Sequence, residues 1–326
     1  MHKSKVPVLI CGFIRVEGAL SVARSALEAG TKRIYLALDG PRNDVEVELQ
    51  ERMVREMKNL ISNFHAELKV LRRLKNLGLS VAIISALDWF FENEDRGIIL
   101  EDDLVIHKDF YSFAAHGLSA FESDPSTWII SGNQFFTEEY FEDGNQWSHY
   151  PLIWGWACWS DKWATIRNEI LKFELTFVSD PGLKVRSFLQ VGKFRVNHGK
   201  VNSWAIPLSA SMKSLGNFCY MPPQNFVSNI GLDAFASHTV AEMWHLEREI
   251  ENFGYKSGFS QTNRARIARN IDSLIEDKIY HISWKSFFSL VSLYTKKLFT
   301  NSDCQNMKSL VEAIGEARLI ESEESI

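Results

Sequence analysis

The sequence predicts an α/β fold, an αβα sandwich on a mixed, mostly parallel sheet that carries a helical C-terminal extension. Three observations predict it. Four apolar runs alternate with three helix-periodic segments between Val6 and Leu100, and such β-α-β alternation implies crossover helices covering parallel strands. Beyond Asp103 the pattern loosens into mixed elements on the same sheet. After Val240 the patterning is helical.

Element by element, residues 6–14 form an apolar strand, and Arg15 to Ala29 is a helix that stops at Gly30. Arg33 to Leu38 is a second strand, closed by the turn signal Asp39-Gly40-Pro41-Arg42. Val45 to Phe64 is a long charged amphipathic helix, and Ala66 to Leu71 a third strand. Leu79 to Asn93 repeats its apolar positions at helical spacing, and Gly97 to Leu100 is the fourth strand. Phe110 to Phe121 reads as a helix and Trp128 to Gly132 as a strand, followed by a Gly- and aromatic-rich passage to Trp163. A helix around Val201 to Leu215 and a strand over Phe218 to Pro222 close this part. There is no internal repeat and no low-complexity linker.

Bulk composition sets limits on function. The 326 residues are 45% hydrophobic and 24% charged with a net charge of −5, ordinary values for a globular protein. No Lys/Arg stripe with interleaved aromatics is present, so nucleic acid is not an expected partner. Cys11, Cys158, Cys219 and Cys304 are widely spaced and form no CxxC pair, which gives neither a zinc ribbon nor a disulfide framework and suits a reducing, cytoplasmic setting. The basic start is followed by a short run broken by Arg15 and Glu17, a first strand rather than a signal peptide. No uncharged apolar stretch of about 18 residues exists, so no spanning segment is expected.

The chemistry concentrates at the fourth strand. Gly97-Ile98-Ile99-Leu100 runs straight into Glu101-Asp102-Asp103, and apolar sequence resumes at Leu104. Burying ionised carboxylates costs several kcal/mol each unless a cation or donors compensate, and no basic residue lies between Gly97 and Ile106. Two readings stand: a divalent metal sharing an anionic ligand such as a nucleotide pyrophosphate, or a helix N-terminus that the acids cap. Asp39 is a candidate hydrogen-bond acceptor for a ligand or the first residue of an ordinary Asp-Gly turn. The histidines give no HExxH or HxH spacing, so a zinc hydrolase finds no support.

Five blocks occur in order: Cys11-Gly12-Phe13-Ile14-Arg15, Ala37-Leu38-Asp39-Gly40-Pro41-Arg42, Asn76-Leu77-Gly78-Leu79, Glu101-Asp102-Asp103 and Gly155-Trp156-Ala157-Cys158-Trp159. Together they resemble the GT-A glycosyltransferases, in particular bacterial sugar transferases of surface-polysaccharide loci. They are more distantly similar to the N-acetylglucosaminyltransferase that starts complex N-glycans. The resemblance covers residues 6 to 240 and implies a GT-A (nucleotide-diphospho-sugar transferase) domain over 1–240. Within it, 1–105 would be the nucleotide-binding half and 106–240 the acceptor half, with 241–326 the helical extension.

The resemblance also implies roles. Asp103 would hold Mn²⁺ or Mg²⁺, which bridges the phosphates of a nucleotide-sugar donor, by analogy a UDP-sugar. Glu101 and Asp102 would contact sugar or ribose hydroxyls, Arg15 would sit near the nucleotide, and Asp39 would accept from base or ribose. Gly78, Gly155, Trp156 and Trp204 complete the donor-binding set, and His238 would be a second metal or phosphate ligand. In the family a carboxylate beside the tryptophan of Val201-Asn202-Ser203-Trp204-Ala205 acts as base. Here it is missing, leaving Asp161, Asp180 or Asp233 as candidates, a retaining mechanism, or an inactive site. The implied acceptor is a carbohydrate or lipid-linked glycan, with inversion as the default outcome. Between Lys278 and Ser302 there are four lysines and no acid, and the amphipathic stretch 284–299 suits either packing on its own domain or an anionic membrane surface.

Overall fold

The computed structural model describes residues 5–136, 146–172, 175–197, 201, 203–230, 264–285, 288 and 292. Its first half follows the predicted alternation: β1 (Val8–Gly12), α1 (Val16–Glu28), β2 (Arg33–Leu38), α2 (Asp44–Asn63), β3 (Glu67–Arg72), α3 (Leu79–Asn93) and β4 (Arg96–Glu101). These strands lie in the order β3-β2-β1-β4, each ladder parallel. The continuous apolar run of β1 is explained by burial on both faces. Val8 and Ile10 enter the core under α1, α2 and the later α4, whereas Leu9 and Cys11 enter the core under α3.

The second half contains β5 (Leu104–Ile106), α4 (Asp109–Ala120), β6 (Thr127–Ser131), β7 (Gln146–Ser148), β8 (Trp156–Trp159), α5 (Ser160–Leu171), α6 (Leu183–Asn197), α7 (Ala205–Leu215), β9 (Phe218–Met221), β10 (Val227–Asn229) and α8 (Arg264–Leu274). The sheet continues β4-β8-β6-β9-β7 to eight strands, with β6–β9 parallel and β4–β8, β6–β8 and β7–β9 antiparallel. The result is a mixed, mostly parallel sheet between helical layers. A separate two-stranded ribbon pairs β5 with β10, Ile106 opposite Val227 and Leu104 opposite Asn229. The strands of three or four residues at β5, β7, β8 and β10 have no sequence signature because each is too short to establish alternation.

The described residues after 241 pack on the sheet. Ala268 joins one core cluster, and Ile271, Ile275 and Ile279 join the other. Polar contacts fix its register against β7. The Asp272 carboxylate accepts from Ser148 Oγ (2.7 Å), the His149 amide (2.9 Å) and Lys213 Nζ (2.6 Å), and pairs with His149 Nδ1 (2.6 Å). One turn on, Glu276 accepts from the Tyr150 hydroxyl at 2.7 Å. Arg264 pairs with Asp124 and lies over the Trp147 ring, 4.2 Å from its centroid.

Of the stretch 284–299, only Trp284, Lys285, Phe288 and Ser292 are described, with Trp284 52% and Phe288 67% exposed. Among the described residues no helix is long and apolar enough to cross a membrane.

Candidate active site

The acids lie where β4 ends. Glu101 closes the strand, and Asp102-Asp103 turn the chain into β5. Because β1 and β4 are parallel and Cys11 pairs with Glu101, the segment after β1 lies beside the acids. The Asp102 amide donates to Cys11 O at 3.1 Å, and the Phe13 amide donates to Asp102 Oδ2 at 2.9 Å. Helix α1 is drawn in so closely that a Cβ on Gly18 would collide with the Asp102 carbonyl oxygen. The tight fit needs no side chain at position 18.

The cation absent from residues 97–106 comes from a distant part of the chain. Arg15 Nη1 lies 3.3 Å from Asp102 Oδ1 and 3.2 Å from Asp103 Oδ2. Asp103 is held from the other side by the β5–β10 ribbon. Its carbonyl accepts from the Ile230 amide at 2.9 Å, and its Oδ1 accepts from Asn229 Nδ2 at 3.4 Å. The pairing of β10 with β5 brings Asn229 to the acid.

Glu101 and Asp102 differ electrostatically. Burial, reinforced by the charges of Asp103 and Asp102, pushes Glu101 up to about 8. Burial also raises Asp102 to about 6, against the lowering effect of the Phe13 amide and Arg15. Asp102 is buried, with its oxygens directed at Phe13 and Arg15. It pins the β1 loop to the β4 turn more than it faces a ligand. Glu101 is half-buried, and no hydrogen bond contributes to its shift.

Asp39 stands at the end of β2 with both oxygens engaged. Oδ1 accepts from the Gly40 and Leu77 amides, each at 2.8 Å, and Oδ2 from the Gly78 amide at 3.0 Å. The turn reading thus accounts for the Asp39 carboxylate, which ties the loop before α3 to β2. Gly78 is the N-cap of α3 with φ 78° and carries no side-chain cap.

Gly155 lies on the same edge. It has φ +68°, accepts from the Gly132 amide at 2.7 Å, and a Cβ there would press on Val227 and Leu100. Trp156 is not placed for stacking on a sugar. It is 1% exposed, sits in a strand flanked on both sides, and packs against Trp204, 5.9 Å between ring centroids. Trp204 is likewise buried. Both indoles fill the core.

The candidate bases fall apart in space. Because β8 runs antiparallel to β4, with Trp156 opposite Ile99 and Trp159 opposite Arg96, Asp161 follows the far end of β8. It is exposed in the first turn of α5, at the sheet edge opposite the acids. The strand's direction, invisible in its four residues, decides this. Asp180 is exposed and pairs with Arg186 at 3.0 Å. Asp233, His238 and Asn202 lie outside the described residues.

A hard divalent cation fits what is present. Asp103 offers carboxylate oxygen at a sheet edge where ligands of open α/β folds collect. Among the described residues no group of three or more His, Cys, Asp or Glu side chains converges on one point. Asp103 could supply one carboxylate to a cation whose remaining ligands are substrate phosphates, as Mg²⁺ favours.

No family model matches the chain, and no curated protein does. Solved structures similar to it include the apo WbbM bifunctional glycosyltransferase, at 12% identity and a TM-score of 0.32, covering 52% of this chain and 35% of that one. The chain thus spans about a third of that enzyme's length. UDP-glucose pyrophosphorylase complexed with UDP-glucose is similar at 13% identity and a TM-score of 0.37, covering 66% and 90%. Mannose-1-phosphate geranyltransferase from Thermus thermophilus is similar at 10% identity and a TM-score of 0.33, covering 67% and 73%.

Proposed function

We propose that this protein is a metal-dependent glycosyltransferase that moves a sugar from a nucleotide-sugar donor, a UDP-sugar by resemblance, to a glycan or lipid-linked acceptor of surface-polysaccharide synthesis. The observation that carries this reading is Asp103, held at the carboxyl edge of the parallel half-sheet by Arg15 and Asn229 with Glu101 beside it. The ordered sequence blocks support it independently.

Asp103, with His238 as its candidate partner, would hold Mn²⁺ or Mg²⁺. When bound, the cation offsets charge developing on the departing diphosphate. Arg15 gives the same edge a positive charge that can swing from the acids to a phosphate. Glu101, with its raised pKa, can donate a hydrogen bond to a donor hydroxyl. Gly155 leaves backbone free to approach the sugar. The candidates for deprotonating the acceptor are Asp161, Asp180 and Asp233, of which Asp161 lies at the sheet edge opposite the acids. The proposed place of action is the cytoplasmic face of a membrane, reached through 284–299.

The test is release of UDP from a panel of UDP-sugars, with and without Mn²⁺, by wild type and Asp103→Asn. Metal-dependent release lost in the variant supports the assignment. Serine at 203 and alanine at 205, flanking Trp204, favour one second reading, a binding scaffold descended from a transferase. Calorimetric binding of UDP and Mn²⁺ without turnover on any acceptor would select it. Transfer of a nucleotidyl group to a sugar phosphate would instead overturn glycosyl transfer.

A further inference from the structure

Two short segments, far apart in sequence, bring exposed apolar side chains together. Val178 in the loop before α6 is 75% exposed, and Leu183 in the first turn of α6 is 49% exposed. Trp284 and Phe288, four positions apart, are exposed as well. Single exposed apolar residues are ordinary, but a contiguous group rimmed by polar residues marks a contact surface.

Ring contacts show how the segments join. Phe188 and Tyr280 pack with centroids 5.4 Å apart, and Lys184 Nζ lies 5.7 Å from the Trp284 centroid. The chain after Tyr280 therefore runs antiparallel to α6, four residues on each side from one contact to the next. The same course carries Phe288 past the start of α6, toward the loop that holds Val178. Both arms are anchored. The Val178 amide donates to Ser214 O at 2.8 Å, and Ile275 and Ile279 fix the other arm in the core.

Charge selects the partner. Lys184 and Lys285 are exposed within the group. The acids nearest in sequence are matched by other cations, Asp180 by Arg186 at 3.0 Å and Asp277 by Lys278 at 3.2 Å. The sequence beyond adds Lys296 and Lys297, with no acid before Asp303. An indole beside an ammonium suits the headgroup region of a bilayer, where the ring enters apolar surroundings and its N–H stays wet. Lysines at the rim attract anionic lipid. A second copy meeting this face across a two-fold axis would set the lysines against their own equivalents, which is repulsive.

We propose that Val178, Leu183, Trp284 and Phe288, rimmed by Lys184 and Lys285, form a two-armed docking face for a bilayer surface rich in anionic phospholipid. The proposal rests on the membrane location in the reading above and deepens it. The start of α6 takes part alongside the extension, and the lipid's charge is what the face recognises. Each arm is small, but once one is seated the contact of the other is intramolecular, so the pair binds as a unit.

The experiment is flotation of the full chain with vesicles of phosphatidylcholine alone or of phosphatidylcholine and phosphatidylglycerol in equal parts. Melting temperature and UDP release from UDP-sugars are recorded without lipid. Wild type is expected to bind the mixed vesicles about tenfold or more tightly than the neutral ones. The pair Val178→Ser and Leu183→Ser, and the pair Trp284→Ser and Phe288→Ser, should each weaken binding about tenfold, with melting temperature and UDP release unchanged. Lys184→Glu with Lys285→Glu should erase the preference for phosphatidylglycerol. Both lysines are exposed, so this variant carries the test if an apolar pair fails to fold.

Equal binding to the two vesicles, or to neither, would overturn the proposal. Undiminished binding by the folded Val178 and Leu183 variant would leave the extension as the sole arm and overturn the shared face. Self-association of wild type that the same variants abolish would assign the face to a second copy instead. Continued UDP release in any of these cases leaves the nucleotide-sugar reading intact. Vesicle binding without UDP release from any donor would overturn that reading and spare the docking face.

Discussion

Arg15 and Asp103, 88 positions apart in sequence, meet as an ion pair of 3.2 Å at the carboxyl edge of β1 and β4. The same guanidinium touches Asp102, so one cation serves two of the three acids. That leaves Asp103 compensated before any ligand arrives, and Glu101 held partly neutral by burial.

Asp103→Asn keeps the size of the side chain but removes the charge available to a cation. Metal-dependent consumption of donor should fall by about 100-fold or more, with the fold preserved because Asn229 and Arg15 lose only one partner. A rate equal to wild type in a donor-consumption assay would remove Asp103 from the site.

Gly18→Ala should destabilise the protein by about 1–3 kcal/mol. The new Cβ collides with the Asp102 carbonyl oxygen, which is backbone and can yield only if α1 or the β4 turn moves. Thermal denaturation measures the stability, and metal titration should show weaker binding. A melting temperature identical to wild type would mean α1 does not press on the acid turn.

Asp272→Ala should cost about 1–3 kcal/mol, since it orphans Ser148 and His149 and leaves the half-buried Lys213 ammonium with Glu276 alone, at 3.3 Å. Urea denaturation checks this. Burial pushes the Asp272 carboxyl up, but the His149 hydrogen bond and the Lys213 charge outweigh it, so the folded pKa lies below the ordinary value. A depressed carboxyl contributes stability that is complete above its unfolded pKa, about 3.9, and is lost as pH falls through the folded value. Acid should therefore weaken wild type more than the variant below about pH 4.

Lys193 is buried with its Nζ donating to Glu169 O at 2.6 Å, and burial lowers its pKa to about 8. Between that value and the unfolded value of about 10.4, the unfolded chain binds the proton and the native state does not. Stability contributed by this group therefore rises with pH across that window. The wild-type melting temperature relative to Lys193→Met should climb from pH 8 to pH 10. A flat difference would show that the amine stays charged in the fold.

Much of residues 106–240 was illegible for a physical reason. Strands β7 and β8 contain three and four residues, too few to display a period, and their positions depend on neighbours far along the chain. Helix α6 has no sharp apolar stripe, so its fifteen residues carry no helical signal in the sequence. Asn229 was equally hidden. Nothing about an asparagine predicts that β10 will pair with β5 and swing it onto Asp103.

The sequence by itself determined the βαβ half of the fold, the order of its strands in the chain, and the three acids that end β4. It could do so because long apolar runs and helical spacing are local consequences of burial. Tertiary structure decided which charges meet. It brought Arg15 and Asn229 to Asp103, fixed Asp39 with the amides of Gly40, Leu77 and Gly78, and sent Asp161 to the opposite edge. It also buried Arg73 with no ion pair among the described residues. Such placements arise from strand direction and sheet order, which couple residues separated by tens of positions and leave no periodic trace in the chain.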